Sequence, residues 1–373
     1  MLTLAVGWDL HRKFSQVSLQ RRNESGEIVV VERKRLDHAD RDAMRQWLQQ
    51  LPAGTPIAME GAFGWQWVAD LQQELGLEPH LGHPPAIRVL AKNEGKCDRQ
   101  DADRLGRFWL RGILPESYLS TPAVRQLRER SRYRGSLVGI RAGVKNRVQA
   151  ILHRLGLLHS FSDLFGDRGR AWLAELELPA GSRAVLDGDL ELIDQLDELI
   201  GKVEQWMVEN LVADETTRLL MTLPGVGLIL AHVIRAEIGE LEGHFASANK
   251  LVSYAGLAPL SDDSADRHGR RHVSPYCNHT LKWALIEATT GLLRSRKAPA
   301  HLRRLYERLS QRANKNLAHV AVARELCRLT YVIWKKGEPY RENSPARPGA
   351  DKHASRRDGA GRDRCQVRSE QSR

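Results

Sequence analysis

The sequence predicts an α/β domain at the N-terminus followed by a mainly α-helical region, and three observations predict it. Short strand-like runs crowd into the chain ahead of Pro84-Pro85. From residue 121 onward, apolar residues recur at helical spacing. Between these regions lies Lys96-Cys97-Asp98-Arg99-Gln100-Asp101-Ala102, where a helical pattern begins. On a helix, Asp98 and Asp101 share one face about one turn apart.

The N-terminal elements follow from local pattern. Leu2 to Leu10 is an apolar run rich in strand formers, and Phe14 to Leu19 alternates loosely. Ser25-Gly26 makes a turn, and Ile28-Val29-Val30-Val31 supplies a third strand. Short connections make these three an antiparallel meander. Residues 39 to 51 carry helical spacing through Ala39, Met44, Trp47, Leu48 and Leu51. Thr55 to Glu60 then reads as a buried fourth strand, Gly61 to Leu75 as a helix and Glu78 to Leu81 as a fifth strand. The order β-β-β-α-β-α-β-α is that of an RNase H-like layer.

On that frame Asp9 ends the first strand, Glu60 ends the fourth, and Asp98 with Asp101 opens the next helix. Ligands collect at strand ends in such sheets. Like charges held close repel unless a cation lies between them, and hard divalent ions such as Mg2+ take carboxylate oxygens together with substrate phosphate. The four acids therefore form a candidate metal site.

Residues 121 to 155 are the most basic segment. Arg125, Arg128, Arg130, Arg132, Arg134, Arg141, Lys145, Arg147 and Arg154 stand against the single acid Glu129, while Leu137, Ile140, Val144, Val148, Ile151 and Leu155 repeat at three or four residues. Such a helix can neutralise nucleic-acid phosphates, with binding that falls as salt rises. It can equally pair with an acidic neighbour, and residues 186 to 211 supply one, with Leu186, Leu190, Ile193, Leu196, Ile200, Val203 and Met207 on one stripe. The two segments read as arms of a helical coiled-coil hairpin and a dimer contact.

Farther on, Leu223-Pro224-Gly225-Val226-Gly227 separates two helical stretches in a helix-hairpin-helix pattern, where Gly225 and Gly227 would let backbone N–H groups approach a phosphate. Phe245 to Leu257 reads as a helix. A polar stretch from Pro259 to His272 follows, carrying Ser261, Ser264, Arg270 and Arg271. Polar loops between apolar helices are commonly functional, and a serine there is a candidate nucleophile if a base or metal reaches it. His268, His272, Cys277 and His279 fit no common zinc spacing. Residues 280 to 295 and 312 to 336 return to helical periodicity, and the chain beyond Tyr340 has the composition of a disordered basic tail.

The chain holds 57 Lys and Arg against 46 Asp and Glu, a formal net charge of +11 over 373 residues, which suits a polyanionic partner. Its four cysteines, Cys97, Cys277, Cys327 and Cys365, form no C-x-x-C pair, which argues for a reducing cytosol. No signal peptide or membrane span is expected.

Six segments together resemble the DEDD transposases of bacterial and archaeal insertion sequences, the insertion-sequence one-ten family with its eleven-eleven branch. They are Gly7-Trp8-Asp9, Met59-Glu60-Gly61, Lys96 to Ala102, Leu223 to Gly227, Tyr254-Ala255-Gly256-Leu257-Ala258-Pro259 and Asn278 to Lys282. The resemblance implies a RuvC-like domain whose tetrad Asp9, Glu60, Asp98 and Asp101 binds one or two Mg2+ ions, with Mn2+ as a substitute. It implies a C-terminal transposase domain with a nucleophilic serine five residues after Pro259, at Ser264. Ala265 stands where glycine usually follows that serine, so Ser261 and Ser274 remain candidates. Cys97 and Cys277 are further departures.

It further implies a recombinase guided by a structured RNA (bridge RNA), acting on DNA as a dimer or dimer of dimers in the cytoplasm at the nucleoid, each active site joining the acids of one subunit to the serine of another. The expected organisation is a nuclease domain at 1–120, a helical hairpin at 121–212, a transposase domain at 213–340 and a tail at 341–373. Arg125, Arg128, Arg132, Arg141, Lys145, Arg147, Gly225, Gly227, Arg270 and Arg271 are the expected nucleic-acid contacts. Two other readings keep the fold: a junction-resolving nuclease that uses water, and a nucleic-acid-binding relative without catalysis.

Overall fold

Strand-forming runs with short turns between them build a hairpin meander first. The strands are β1 (Leu4–Leu10), β2 (Phe14–Arg22) and β3 (Ile28–Asp37), each antiparallel to the one before. The computed structural model describes residues 4–92, 98–211, 214–260, 272–273, 277–296 and 298–342. The chain divides into two units, Met1–Glu129 and Arg130–Arg373.

In the first unit, Asp40 caps α1 (Arg41–Gln49) by accepting from the Ala43 amide. Strand β4 (Pro56–Glu60) then runs parallel to β1, α2 (Trp65–Glu74) crosses over, and β5 (Glu78–Gly82) lies parallel to β4. The sheet order is β3-β2-β1-β4-β5, compatible with an RNase H-like domain. A short helix α3 (Pro84–Leu90), absent from the order expected from sequence, follows. Proline is tolerated in a first helical turn because its missing N–H has no partner there. Helix α4 (Asp98–Leu110) completes the layer.

Alternation along β1 separates two cores. Val6 and Trp8 turn to the α1–α2 side, with Val17, Met44, Trp47, Leu48, Ile57, Met59 and Val68. Burial of each large side chain in this set stabilises by roughly 1.5–3 kcal/mol. Ala5, Gly7 and Asp9 turn to the α4 side, where Ala58, Ile87, Leu105 and Phe108 cluster. Helix α4 rests directly on the strand at Gly7. A Cβ there would run into the carbonyl oxygen of Ala102 and stand 2.7 Å from the amide of Gly106.

Helix α5 (Pro122–Arg154) begins in the first unit and continues into the second. It is followed by α6 (Asp167–Glu175) and α7 (Ala180–Leu211). Leu137 and Val144 of α5 pack with Ile193, Leu196 and Ile200 of α7. Arg134 pairs with Glu204, Arg141 with Asp197 and Arg147 with Asp189. Rising numbers on one helix meet falling numbers on the other, so α5 and α7 are antiparallel neighbours.

Helices α8 (Glu215–Leu220), α9 (Leu228–Ile238), α10 (Ala248–Tyr254), α11 (His279–Arg294), α12 (Ala300–Arg312) and α13 (Lys315–Lys336) form the rest of this unit. Their core includes Leu220, Ile234, Leu251, Leu281, Leu285, Leu302, Val322 and Leu326. Asn278 and Asn314 cap α11 and α13. Strands β6 (Pro259–Leu260) and β7 (His272–Val273) pair between α10 and α11. Gly225 has φ +81°, and a Cβ on it would strike the carbonyl of Ala288 in α11.

Gly7→Ala should lower the urea midpoint by the equivalent of about 1–3 kcal/mol, the cost of overpacking. Gly135→Ala, in mid-α5 with open space around its Cβ, should instead stabilise by about 0.5–1 kcal/mol. Equal effects from the two variants would show that α4 does not rest on β1 at Gly7.

Candidate active site

Two of the expected acids stand side by side because of strand register. The β1–β4 ladder pairs Gly7 with Ala58 and Trp8 with Met59, and the next residues in line are Asp9 and Glu60. Both lie on the α4 side by alternation, at the carboxyl ends of adjacent parallel strands, where α/β sheets place ligands. His11 Nε2 lies 3.0 Å from Asp9 Oδ2.

The remaining acids sit on α4. Ala102, Leu105 and Phe108 are the buried stripe of that helix. Asp101 precedes Leu105 by one turn, so it extends the stripe toward the helix N-terminus. Asp101 accepts from Arg104 Nη1 at 2.6 Å. Asp98 opens the helix, and its side chain lies outside the described residues. Among the described residues no three metal-ligating side chains gather closely enough to hold an ion. The donors that are described, carboxylate oxygens at one end of the sheet, are the hard type that Mg2+ takes.

The serine end of the expected site, Ser264 with Ser261 and Ser274, lies outside the described residues, as do Arg270 and Arg271. Its base is described. Pro259 pairs with Val273 and Leu260 with His272, which brings together the two ends of segment 261–271.

Where the end of α10 meets the start of α11 there is a polar cluster that sequence reading missed. Glu237 on α9 is 0% exposed and accepts from Arg132 Nε and Nη2, both at 2.8 Å. It also accepts from Asn278 Nδ2 at 2.8 Å. The same amide reaches Tyr254 Oη at 2.9 Å, and the Asn278 backbone N–H donates to the Tyr254 carbonyl at 2.8 Å. Hydrogen bonding to Glu237 holds the Arg132 guanidinium above its usual pKa. A lone glutamate in the apolar run Leu228–Ile238 was the available signal.

The other expected nucleic-acid contacts are mostly engaged within the protein. Arg125 donates to Asp70 at 2.5 and 2.6 Å and to the Ser120 carbonyl. Arg141 and Arg147 pair with Asp197 and Asp189, Lys145 Nζ lies 4.7 Å from the Phe165 ring centre, and Arg128 is engaged as well. The acidic neighbour anticipated for this helix is α7. Phosphate would have to compete with its carboxylates. Gly225 is accounted for by its contact with α11, whereas Gly227, at the start of α9, leaves open space beyond its Cα.

A mixed sheet with acids at neighbouring strand ends, joined to a helical unit, defines the class of protein compatible with this geometry: a nuclease-like α/β domain with a helical companion. A family profile for the DEDD transposases of IS110, described as "Transposase", matches residues 6–156. A second, described as "Transposase IS116/IS110/IS902 family", matches residues 217–307. The transposase for insertion sequence element IS1328 of Yersinia enterocolitica is 25% identical over 285 residues, covering 75% of this chain and 84% of the relative. The transposase for IS1111A of Coxiella burnetii is 25% identical over 279 residues, 72% and 74% of the two chains. The chain belongs to the IS110 family of insertion-sequence transposases.

Arg132→Met would leave a buried carboxylate without its cation and should cost about 3–5 kcal/mol. Glu237→Gln should cost less, because Arg132 is 55% exposed and can rehydrate, while an amide can still accept from Asn278. Thermal unfolding of the two variants checks the order, and a larger loss for Glu237→Gln would contradict it.

Proposed function

We propose that the protein cuts and rejoins DNA at the ends of an insertion sequence through a covalent phosphoserine at Ser264. The observation that carries this reading is the placement of Asp9 and Glu60 at neighbouring strand ends, below the helix that Asp98 opens. Asp9, Glu60, Asp98 and Asp101 would hold one or two Mg2+ ions, which when bound polarise a scissile phosphate and stabilise charge on the attacking and leaving oxygens.

The Ser264 hydroxyl attacks phosphorus, the bond to one DNA oxygen breaks, and that oxygen leaves as a hydroxyl after taking a proton. The phosphoserine keeps the bond energy of the diester. A second DNA hydroxyl attacks it, forming the new diester and returning the serine oxygen. No external energy source is needed. The Arg132–Glu237–Asn278 cluster fixes the base of the serine segment, and the α5–α7 pair, as a coiled-coil hairpin, joins subunits into a dimer or dimer of dimers. Base pairing to a structured guide RNA selects the DNA, while cations hold its backbone. The place of action is the cytoplasm, at the nucleoid; no described helix is long and apolar enough to cross a membrane.

The test is a strand-transfer assay with purified protein, Mg2+, labelled element-junction DNA and the flanking non-coding RNA, read on denaturing gels. Wild type should leave a protein–DNA adduct, and Asp9→Ala and Ser264→Ala should each abolish it. Cleavage without adduct by Ser264→Ala would mean that water is the nucleophile.

A further inference from the structure

Beside the acid pair, a groove opens on the α4 side of the sheet. We propose that it binds the phosphodiester backbone of the DNA strand entering the site, with Arg35 as the principal phosphate ligand and Gln16 as a second donor. This rests on the reading of the acids as a DNA-cleaving site.

The groove is a cavity of about 440 Å3 lined by Gln16, Val17, Arg33, Lys34, Arg35 and Ala102. Register puts it in line with the acids. Arg35 stands opposite Gln16, Gln16 opposite Asp9, and Glu60 follows on β4. Strands lie about 4.8 Å apart, so this row spans roughly 15 Å. A strand of nucleic acid laid along it would pass from a cation, past an amide, to the carboxylates.

Alternation decides which cations face the cavity. Val17 belongs to the opposite core with Trp47, and Lys34 is its cross-strand partner, so these two line the groove with main chain. Arg33 and Arg35 turn toward α4. Arg33 is held there by Asp103, with Nε–Oδ1 3.1 Å and Nη2–Oδ2 2.8 Å. Arg35 carries its guanidinium 3.9 Å from the centre of the Phe14 ring, and among the described residues no carboxylate is paired with it. Arg134, Arg141 and Arg147 of α5 answer to carboxylates of α7, whereas Arg35 has no such carboxylate among the described residues. The adjoining rim of the sheet presents Phe63, 99% exposed, three residues beyond Glu60.

Charges on an edge strand also serve to block pairing with other chains, and β3 is the sheet edge. That role does not depend on which face a cation occupies, whereas phosphate binding in the groove does. The experiment uses the full chain without divalent metal, so that no cleavage occurs, and measures binding of labelled single-stranded DNA, and of RNA of the same sequence, as salt is raised. Arg35→Ala should lower the slope of log K against log salt by roughly 0.7 on single-stranded DNA, the value of one phosphate contact. Lys34→Ala, with the same charge loss one residue away, should leave the slope unchanged. Arg35→Lys should restore it, which separates charge from folding, as does a thermal midpoint for each variant.

Equal slopes for Arg35→Ala and wild type, equal changes for Arg35→Ala and Lys34→Ala, or a change confined to RNA would each overturn the proposal. Wild type that binds no DNA at all would overturn the DNA-cleaving reading as well, whereas DNA binding that ignores Arg35 removes the groove alone.

Discussion

The first unit depends on how closely a helix can lie against a strand. With no side chain at Gly7, α4 comes down onto β1 until the Ala102 carbonyl and the Gly106 amide meet the strand backbone. That approach sets the height of α4 above the sheet, and with it the height of the helix turn that carries the last two acids. The neighbours of Gly7 complete the arrangement. Trp8 fills the opposite core and donates its indole N–H to Ser15 at 2.9 Å, while Asp9 emerges at the strand end. The three-residue segment thus combines packing on one face, close approach on the other, and a carboxylate.

The protein uses arginine in two ways. Along α5 the guanidiniums meet carboxylates and tie long helices together, and Arg132 reaches a glutamate with no solvent exposure at all. Such pairs are worth little at the surface. Inside, they are costly to break from one side, because the remaining charge loses both water and partner. On β3 the cations have fewer answering acids, so their field is directed outward, toward anions that approach the sheet edge. Net charge alone does not distinguish the two uses.

Much of the first unit was legible because its signals are local. Alternation in β1 and β2, the Ser25-Gly26 turn and the apolar run ending at Glu60 each act through adjacent residues, and order alone then suggested the layer. Helix α3 was hidden because two prolines look like a stop unless they occupy a first turn. Helix α12 was available from the spacing of Leu302, Leu305, Tyr306 and Leu309 but was not read. The partners of Arg132, Arg141 and Arg147 depend on tertiary pairing over 42 to 105 residues of sequence, which periodicity does not encode. The acids at Asp9 and Glu60 could be placed because strand ends are readable, whereas the groove beside them required knowing which way β3 faces.

That facing is decided by a single residue. The β2–β3 ladder pairs Gln20 with Val30 and then Leu19 with Glu32, so Val31 is skipped and left half exposed. Had pairing run on in the phase set near the turn, Arg33 would stand opposite Val17 and Lys34 opposite Gln16, and both arginines would look toward α1. A bulge resets this phase. The hairpin tip is thereby geared separately from the row beside the acids: a residue gained or lost near the turn can be absorbed where the ladder already slips, and the order of charges leading to Asp9 is preserved.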